Sequence, residues 1–412
     1  MRLKQSSKIL ILYASGEFPT RKTTWSFLYS FRNYSSDRVY YHNLAFSKIP
    51  WFLTKLDYDV IIYSHYMTTP WNRTNYLKRI NYLKNLSLKT KKSVAFFQDE
   101  YFNIDLTNKL ISDLKVQHVY SVAPESEWNK LYSNIPQDTV IHSYLTGYID
   151  IKDVEYCSSK NQNVKRSNDI GYRTGWSSQS MYRLGSWGSL KFKLAEAFIA
   201  KSKHLKLDIG IGAKSLKGNK WLDFLMNSKY TIGVESGSSL LDKDGSINNA
   251  IQGFLIKNPE ASYEEVEAKC FYRQDCNLNL KAISPRIFEA AMTRTCQILV
   301  EGHYNGLLSA DAHYIPIKSD FSNIEAVIQK LDDVELRNKI INNTYRDLVL
   351  SDRFTYSTFV TSFYNMIKPD KVKITTIDQI AYHMSLMTDF ISWIKAAIWS
   401  NLAVKILKIV KG

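Results

Sequence analysis

Residues 283–321 read ISPRIFEAAMTRTCQILVEGHYNGLLSADAHYIPIKSDF. In this stretch Glu289 to Thr293 opens or continues a helix, and 297–300 (QILV) is a short apolar run of strand type. A polar loop with Gly302 and Gly306 follows, and 313–317 (HYIPI) is a second strand. Short apolar strands separated by helical stretches belong to a parallel, doubly wound sheet.

The same alternation extends in both directions. Upstream, a strand begins at 169–172, a helix covers 189–203, a strand 205–211, a helix 220–228 and a strand 229–234. Downstream, 323–331 and 334–347 are helices. The N-terminal half repeats the pattern. Residues 8–14 (KILILYA) form a continuous apolar run, as in a strand buried on both faces. Strands follow at 38–41, 58–63, 93–97 and 117–122, with helices at 23–33 and 73–88. The alternation pauses at 143–168, where SSKNQNVKRSND is polar and lacks periodicity and is taken as linker or surface loop. The expected fold is α/β, with two Rossmann-like domains of parallel sheets. The division is 1–150, 165–350, a crossover helix at 351–370 and a tail at 371–412. Ligands of open α/β sheets bind at the carboxyl ends of the strands, so residues just after strands are the candidates for function.

Composition narrows the partners. A chain of 412 residues suggests two or three domains, and 45% apolar with 13% aromatic content excludes disorder as the main state. Cys157, Cys270, Cys276 and Cys296 are too few for a disulfide scaffold and lack C-x2-C spacing, so they read as free thiols of a reducing cytosol. The first apolar run is too short for a secretory signal, and no segment suits an ordinary transmembrane helix. Lys and Arg number 54 against 39 Asp and Glu, a net charge of +15, which calls for an anionic partner. No carboxylate lies between Asp59 and Asp99. No RNP block, zinc finger or helix-turn-helix spacing supports nucleic acid as that partner.

Residues 283–321, with 233–247 (GVESGSSLLDKDGSI), resemble the nucleotide-sugar-binding domain of bacterial glycosyltransferases with the GT-B fold. The likeness is to the family-four-like group that builds capsule, O-antigen and lipopolysaccharide, through its helix-opening Glu in an F-E-A-x-A block, its small-residue turn, its strand and its Gly loop. It covers 165–350; over 1–150 it is architectural. The resemblance implies a donor site: Glu289 on the ribose hydroxyls, Asn305, Gly306, Leu307 and Leu308 offering backbone N–H groups to the diphosphate, and Arg173 and Lys214 neutralising it. Arg286 is a further phosphate candidate, and Gly16 matches the N-terminal glycine loop where donor phosphate and acceptor approach. Where the family carries a second Glu eight positions before Glu289, this chain has Lys281, after a long insertion at about 240–282.

Each position also has a plainer reading. Glu289 suits a helix N-terminus, Arg173 an ion pair, Lys214 a polar loop, and Asn305, Gly306 and Gly16 ordinary turns. His65 and Asp99 end N-terminal strands, where either orients the acceptor hydroxyl or acts as general base; a His there also suits a partly buried core. Asp242-Lys243-Asp244 matches the D-x-D metal pattern of another glycosyltransferase fold, but no catalytic metal and no cofactor are expected, the nucleotide sugar being substrate.

In the tail, 389–411 (DFISWIKAAIWSNLAVKILKIVK), Ser400, Asn401, Lys405, Lys408 and Lys411 share an arc, and Trp393, Ile394, Ala397, Ile398, Leu402, Ile406 and Ile409 lie away from its centre. This pattern fits a helix lying in an anionic membrane surface; a helix docked on the body is the other reading. The sequence thus reads as a cytoplasmic glycosyltransferase, peripheral on the inner membrane face. It would move a sugar from a nucleotide-sugar donor to a saccharide, lipid-linked acceptor, with retention and without metal. The alternative is a catalytically weak, membrane-associated saccharide-binding or scaffold subunit with the same fold. Oligomeric state, donor and acceptor identities are not legible.

Overall fold

In the computed structural model, residues 5–161, 165–175, 177, 179–213 and 216–411 are described, the side chains of 161 and 402–411 excepted. The chain divides into two units: 1–122, 129–144 and 359–412 form the first, and 123–128 with 145–358 the second.

The first unit is built on β1 (Lys8–Tyr13), β2 (Arg38–Asn43), β3 (Tyr58–Tyr63), β4 (Thr90–Phe96), β5 (His118–Ser121) and β6 (Val140–Ser143). They form a six-stranded, all-parallel sheet in the order β2-β1-β3-β4-β5-β6. Ile9 to Tyr13 and Val60 to Tyr63 are wholly buried because helices cover both faces. Helix α1 (Lys22–Asn33) sends Phe27 and Phe31 onto Phe96. Helix α2 (Arg73–Ser87) buries Tyr76, Ile80 and Leu83, the apolar stripe of the carboxylate-free window.

The second unit starts with α3 (Ile151–Asn161), a helix where the sequence reads as linker. Its polar residues hide the helical signal, and Cys157 is its buried contact. A five-stranded parallel sheet follows: β7 (Asn168–Thr174), α4 (Gly185–Lys201), β8 (Leu207–Ile211), α5 (Asn219–Met226), β9 (Ser228–Gly233), α6 (Pro285–Met292), β10 (Cys296–Val300) and β11 (Ile315–Ile317), in the strand order β11-β10-β9-β7-β8. Helix α7 (Val334–Thr344) closes the unit. The insertion before α6 folds into two helices, Ser246–Lys257 and Tyr263–Cys270, and a small antiparallel pair, Ser236–Ser238 with Leu280–Ala282. Asp275 clips it to the start of α4. It accepts bonds from Ser186 N (3.0 Å), Ser239 Oγ (2.7 Å) and the Tyr263 hydroxyl (2.8 Å), and these hold its carboxyl below the usual range against the cost of burial.

From Phe359 the chain belongs to the first unit again. Helix α8 (Tyr356–Ile367) sets Phe363 5.0 Å from Phe31, and α9 (Thr376–Lys411) runs along the outer strand β2. No described helix is long and apolar enough to cross a membrane.

Helix α9 is inverted. Its buried face carries Asp378, Ser385, Asp389 and Ser392 beside Ala381, Trp393 and Ala396. Every one of those polar groups is bonded. Asp378 pairs with Lys8 at 3.2 Å. Ser385 Oγ accepts from Tyr41 N and donates to Tyr41 O, at 2.8 and 3.0 Å. Asp389 accepts from Tyr13 and Tyr29 hydroxyls at 2.5 and 2.6 Å, and Asn43 Nδ2 donates to Ser392 Oγ. The outward face carries Ile377, Ile380, Met387, Phe390, Ile391, Ile394, Ile398 and Trp399, all exposed. Of the two readings of the tail, docking on the body is what the described residues display up to Ser400.

Candidate functional site

In the second unit, the carboxyl edge of the sheet collects the residues singled out for the donor. Glu289 is not the opening residue of its helix. Ser284 caps α6 through Arg286 N and Pro285 begins it, so Glu289 falls in the second turn. Its Oε2 accepts from Trp221 Nε1 of α5 at 2.6 Å. That bond fixes a half-buried carboxylate with one oxygen held by an indole. Arg286, one turn earlier, lays its guanidinium 5.2 Å from the Trp221 ring and 5.7 Å from Tyr172, and donates to Arg173 O at 2.7 Å, at the end of β7. Arg286 is exposed and forms no ion pair among the described residues. Glu289, Trp221 and Arg286 are therefore one cluster. Trp221 carries no sequence signal of its own, since its role depends on α5 meeting α6.

Arg173 is placed differently. Its guanidinium pairs with Asp208 of the neighbouring strand β8, donates to Asp208 O at 2.6 Å and lies 4.4 Å from the Phe224 ring. The side chain is thus committed to the sheet. Lys214 lies outside the described residues.

The loop after β10 is also turned inward. Asn305 and Gly306 take left-handed backbone (φ 54° and 72°). Gly306 N donates to His303 O and Leu307 N to Tyr304 O, so neither N–H points outward to a ligand. Asn305 Oδ1 accepts from Ile283 N at 2.7 Å, which anchors the strand-to-helix turn in front of α6. Its part is to set the height of the helix that carries Arg286 and Glu289. Leu307 and Leu308 pack against the core around Phe288 and Tyr304. The loop is held from behind by Glu235, which follows β9. Almost fully buried, it accepts from Tyr304 N at 2.6 Å and His303 N at 3.3 Å. A Cβ on Gly302 would fall 2.5 Å from that carboxylate, so a larger residue there would have to displace a side chain anchored by two backbone N–H groups. The sequence block around 233–247 pointed to this neighbourhood but not to Glu235. Lys281, at the position where the family carries a Glu, sits 4.2 Å from the Trp187 ring.

In the first unit Gly16 lies in the exposed loop after β1, with open space where a Cβ would sit. Beside that loop stands the end of α9: Phe18 N donates to Ser400 Oγ at 3.0 Å, and Trp393 contacts Tyr13, Phe18 and Trp25. Asp99 is half-buried after β4 and acts on the Tyr66 hydroxyl together with Arg21 and Glu17. Its neighbour Glu100 is structural, accepting from Ser121 Oγ (2.5 Å), Val122 N (3.0 Å) and the Tyr132 hydroxyl. His65 begins the short helix His65–Thr68 and is buried between Phe27 and Tyr66. Burial pushes its imidazole down to about 3, so it is neutral at ordinary pH, and its Nδ1 has no partner among the described residues. A base so weak is matched to packing rather than to proton transfer.

Asp242 and Asp244, the D-x-D pair, serve as caps: Asp242 accepts from Gly245, Ile247 and Asn248 N–H groups, and Asp244 from Ser246 N. Among the described residues no group of three or more His, Cys, Asp or Glu side chains could hold a metal.

No family model matches the chain, and no curated protein matches it. Solved structures do. The HepE protein of Anabaena (Alr3699) in complex with UDP is 11% identical, with a TM-score of 0.50 over 88% of this chain and 99% of that one. An alpha-glucosyltransferase in complex with UDP and a mismatched 13-mer DNA is 12% identical, with a TM-score of 0.50 over 88% of this chain and 100% of that one. At these identities the likeness concerns architecture: this chain has the GT-B glycosyltransferase fold, with two Rossmann-like units.

Proposed function

We propose that the protein is a glycosyltransferase that moves a sugar from a nucleotide-sugar donor to a saccharide acceptor. The observation that carries this is the Glu289–Trp221–Arg286 cluster at the carboxyl edge of the second unit's sheet. A fixed carboxylate suits a pair of ribose hydroxyls, and an unpaired guanidinium beside it suits a diphosphate. The fold alone would not decide function; the UDP bound by both structural neighbours belongs to those proteins.

In this reading Arg286 takes the role that the sequence resemblance gave to Arg173. It stabilises charge growing on the diphosphate oxygen as the bond to the anomeric carbon breaks. The acceptor hydroxyl forms the new bond at that carbon and gives up its proton. Asp99 is the first unit's candidate to receive it. Retention of configuration, absence of a metal and membership of the family-four-like group making capsule or lipopolysaccharide are parts of the same proposal. They rest on the sequence likeness around 283–321.

The acceptor is proposed to be lipid-linked, met at an anionic membrane face. Supporting this is the outward apolar ridge of α9, a helix whose inward Trp393 and half-buried Ser400 touch the Gly16 loop. A lipid-borne substrate would reach that loop along the ridge.

Thermal-shift titration with uridine, guanosine, thymidine and adenosine diphosphates tests the donor. One of them is expected to raise the melting temperature of the wild type, with Glu289→Gln and Arg286→Gln each abolishing the shift. If none binds, and no sugar nucleotide is hydrolysed or transferred, the reading fails.

A further inference from the structure

At the opposite edge of the second unit's sheet, where the strands begin, four cationic side chains from four separate segments meet. Arg166 precedes β7, Lys229 lies at the start of β9, Arg294 just precedes β10, and Arg337 projects from α7. With Asn338, Ile341 and Asn342 they line a pocket of about 240 Å³.

Like charges are not gathered in a pocket without a reason. Arg166 is immobilised: it donates to the carbonyls of Ser228 (2.7 Å) and Thr293 (2.7 Å) and to Thr295 Oγ1 (3.1 Å). Burial first, and then Arg337 and Arg294, push its guanidinium down to about 10, so the cluster repels itself as it stands. Lys229 pairs with a carboxylate, Asp169 at 2.8 Å. Arg294 bonds the neutral Asn342 Oδ1 (3.2 Å) and stacks 3.8 Å from the Tyr345 ring, and Arg337 rests on the Tyr230 ring. Neither has a carboxylate partner among the described residues. Acidic residues are close in sequence, but Asp333, for one, is spent on capping α7 through Leu336 N. The aromatic rings hold both guanidinium groups in place while leaving their N–H groups unneutralised.

We infer that this pocket is a second anion site, built for a compact phosphate-bearing ligand of the phosphate or diphosphate class. Arg294 and Arg337 offer planar forks that match phosphate oxygens, the anchored Arg166 adds its charge, and Asn338 and Asn342 add neutral donors at the rim. A small concave pocket suits a small polyanion, whereas nucleic acid would need an extended basic stripe. The site lies at the strand starts and so is separate from the Glu289 cluster at the strand ends. It does not depend on the donor reading.

Titration calorimetry of the full chain with pyrophosphate, inorganic phosphate and sulfate at matched ionic strength tests it. Pyrophosphate or phosphate is expected to bind, and the stronger of the two tells a diphosphate-bearing ligand from a monophosphate one. With the donor site disabled by Arg286→Gln, adding Arg294→Gln and Arg337→Gln is expected to weaken the remaining binding at least about tenfold, the loss of charge-assisted bonds. Hydrogen exchange on the wild type, which needs no variant to fold, should show ligand-dependent protection over 334–344. The inference is overturned if sulfate binds as well as pyrophosphate. It is equally overturned if Arg286→Gln alone removes all binding, if the added pair leaves binding unchanged, or if 334–344 gains no protection.

Discussion

The outward face of α9 makes a quantitative prediction. Phe390, Ile394 and Ile398 are 65%, 44% and 60% exposed. Complete burial of such a side chain contributes roughly 1.5–3 kcal/mol. Scaled by those exposures, insertion of the three into a bilayer interface contributes roughly 2.5–5 kcal/mol, a factor of about two to four orders of magnitude in partitioning. The triple variant Phe390→Ser, Ile394→Ser, Ile398→Ser removes this apolar contribution and leaves the charge untouched. Because none of the three side chains faces the first unit, its melting temperature is expected to stay close to that of the wild type. The assay is co-sedimentation with phosphatidylcholine vesicles containing phosphatidylglycerol. Wild type should pellet, less so at high salt as the lysines are screened, and the variant should remain in the supernatant. Equal pelleting of the two proteins, or a wild type that never pellets, would refute the membrane reading of the ridge.

Asp389 anchors α9 from the other side. Asp389→Ala leaves the buried hydroxyls of Tyr13 and Tyr29 without their acceptor and is expected to cost about 3 kcal/mol. Asp389→Asn, which keeps an acceptor, should cost less; denaturant unfolding compares them, and equal losses would contradict this account. His65 has its imidazole depressed by burial, so the stability it contributes is complete above the ordinary histidine range and is lost as pH falls from about 6.5 toward 3. His65→Leu should therefore narrow the gap in melting temperature between pH 7 and pH 4; an unchanged gap would place acid sensitivity elsewhere. Gly302→Ala drives a Cβ against the Glu235 carboxylate and should destabilise the second unit and displace the 303–306 turn, read as lower melting temperature and faster amide exchange there.

Continuous apolar runs such as KILILY and YDVIIY fixed the strands, because strands buried on both faces leave no other sequence pattern. Helix α3 was illegible because its exposed residues are polar almost all round. The cluster at Glu289 was half legible: Arg286 and Glu289 share one helix, whereas Trp221 arrives from another. Arg173 shows the limit of reading strand ends, since the next strand brings up Asp208 to take its charge. In α9 the period was visible but not its orientation. A membrane surface and a docking face would both take the apolar side, and here serine and aspartate face the body instead.

The pairing of Ser385 with both backbone groups of Tyr41 has a practical consequence. Strand β2 has one flank without a neighbouring strand, and this helix is what guards it from joining a second molecule. Trimming the chain before residue 371 to obtain better-behaved material would bare that flank. The shortened protein should precipitate or self-associate, and its absence from vesicles would then say nothing about lipid.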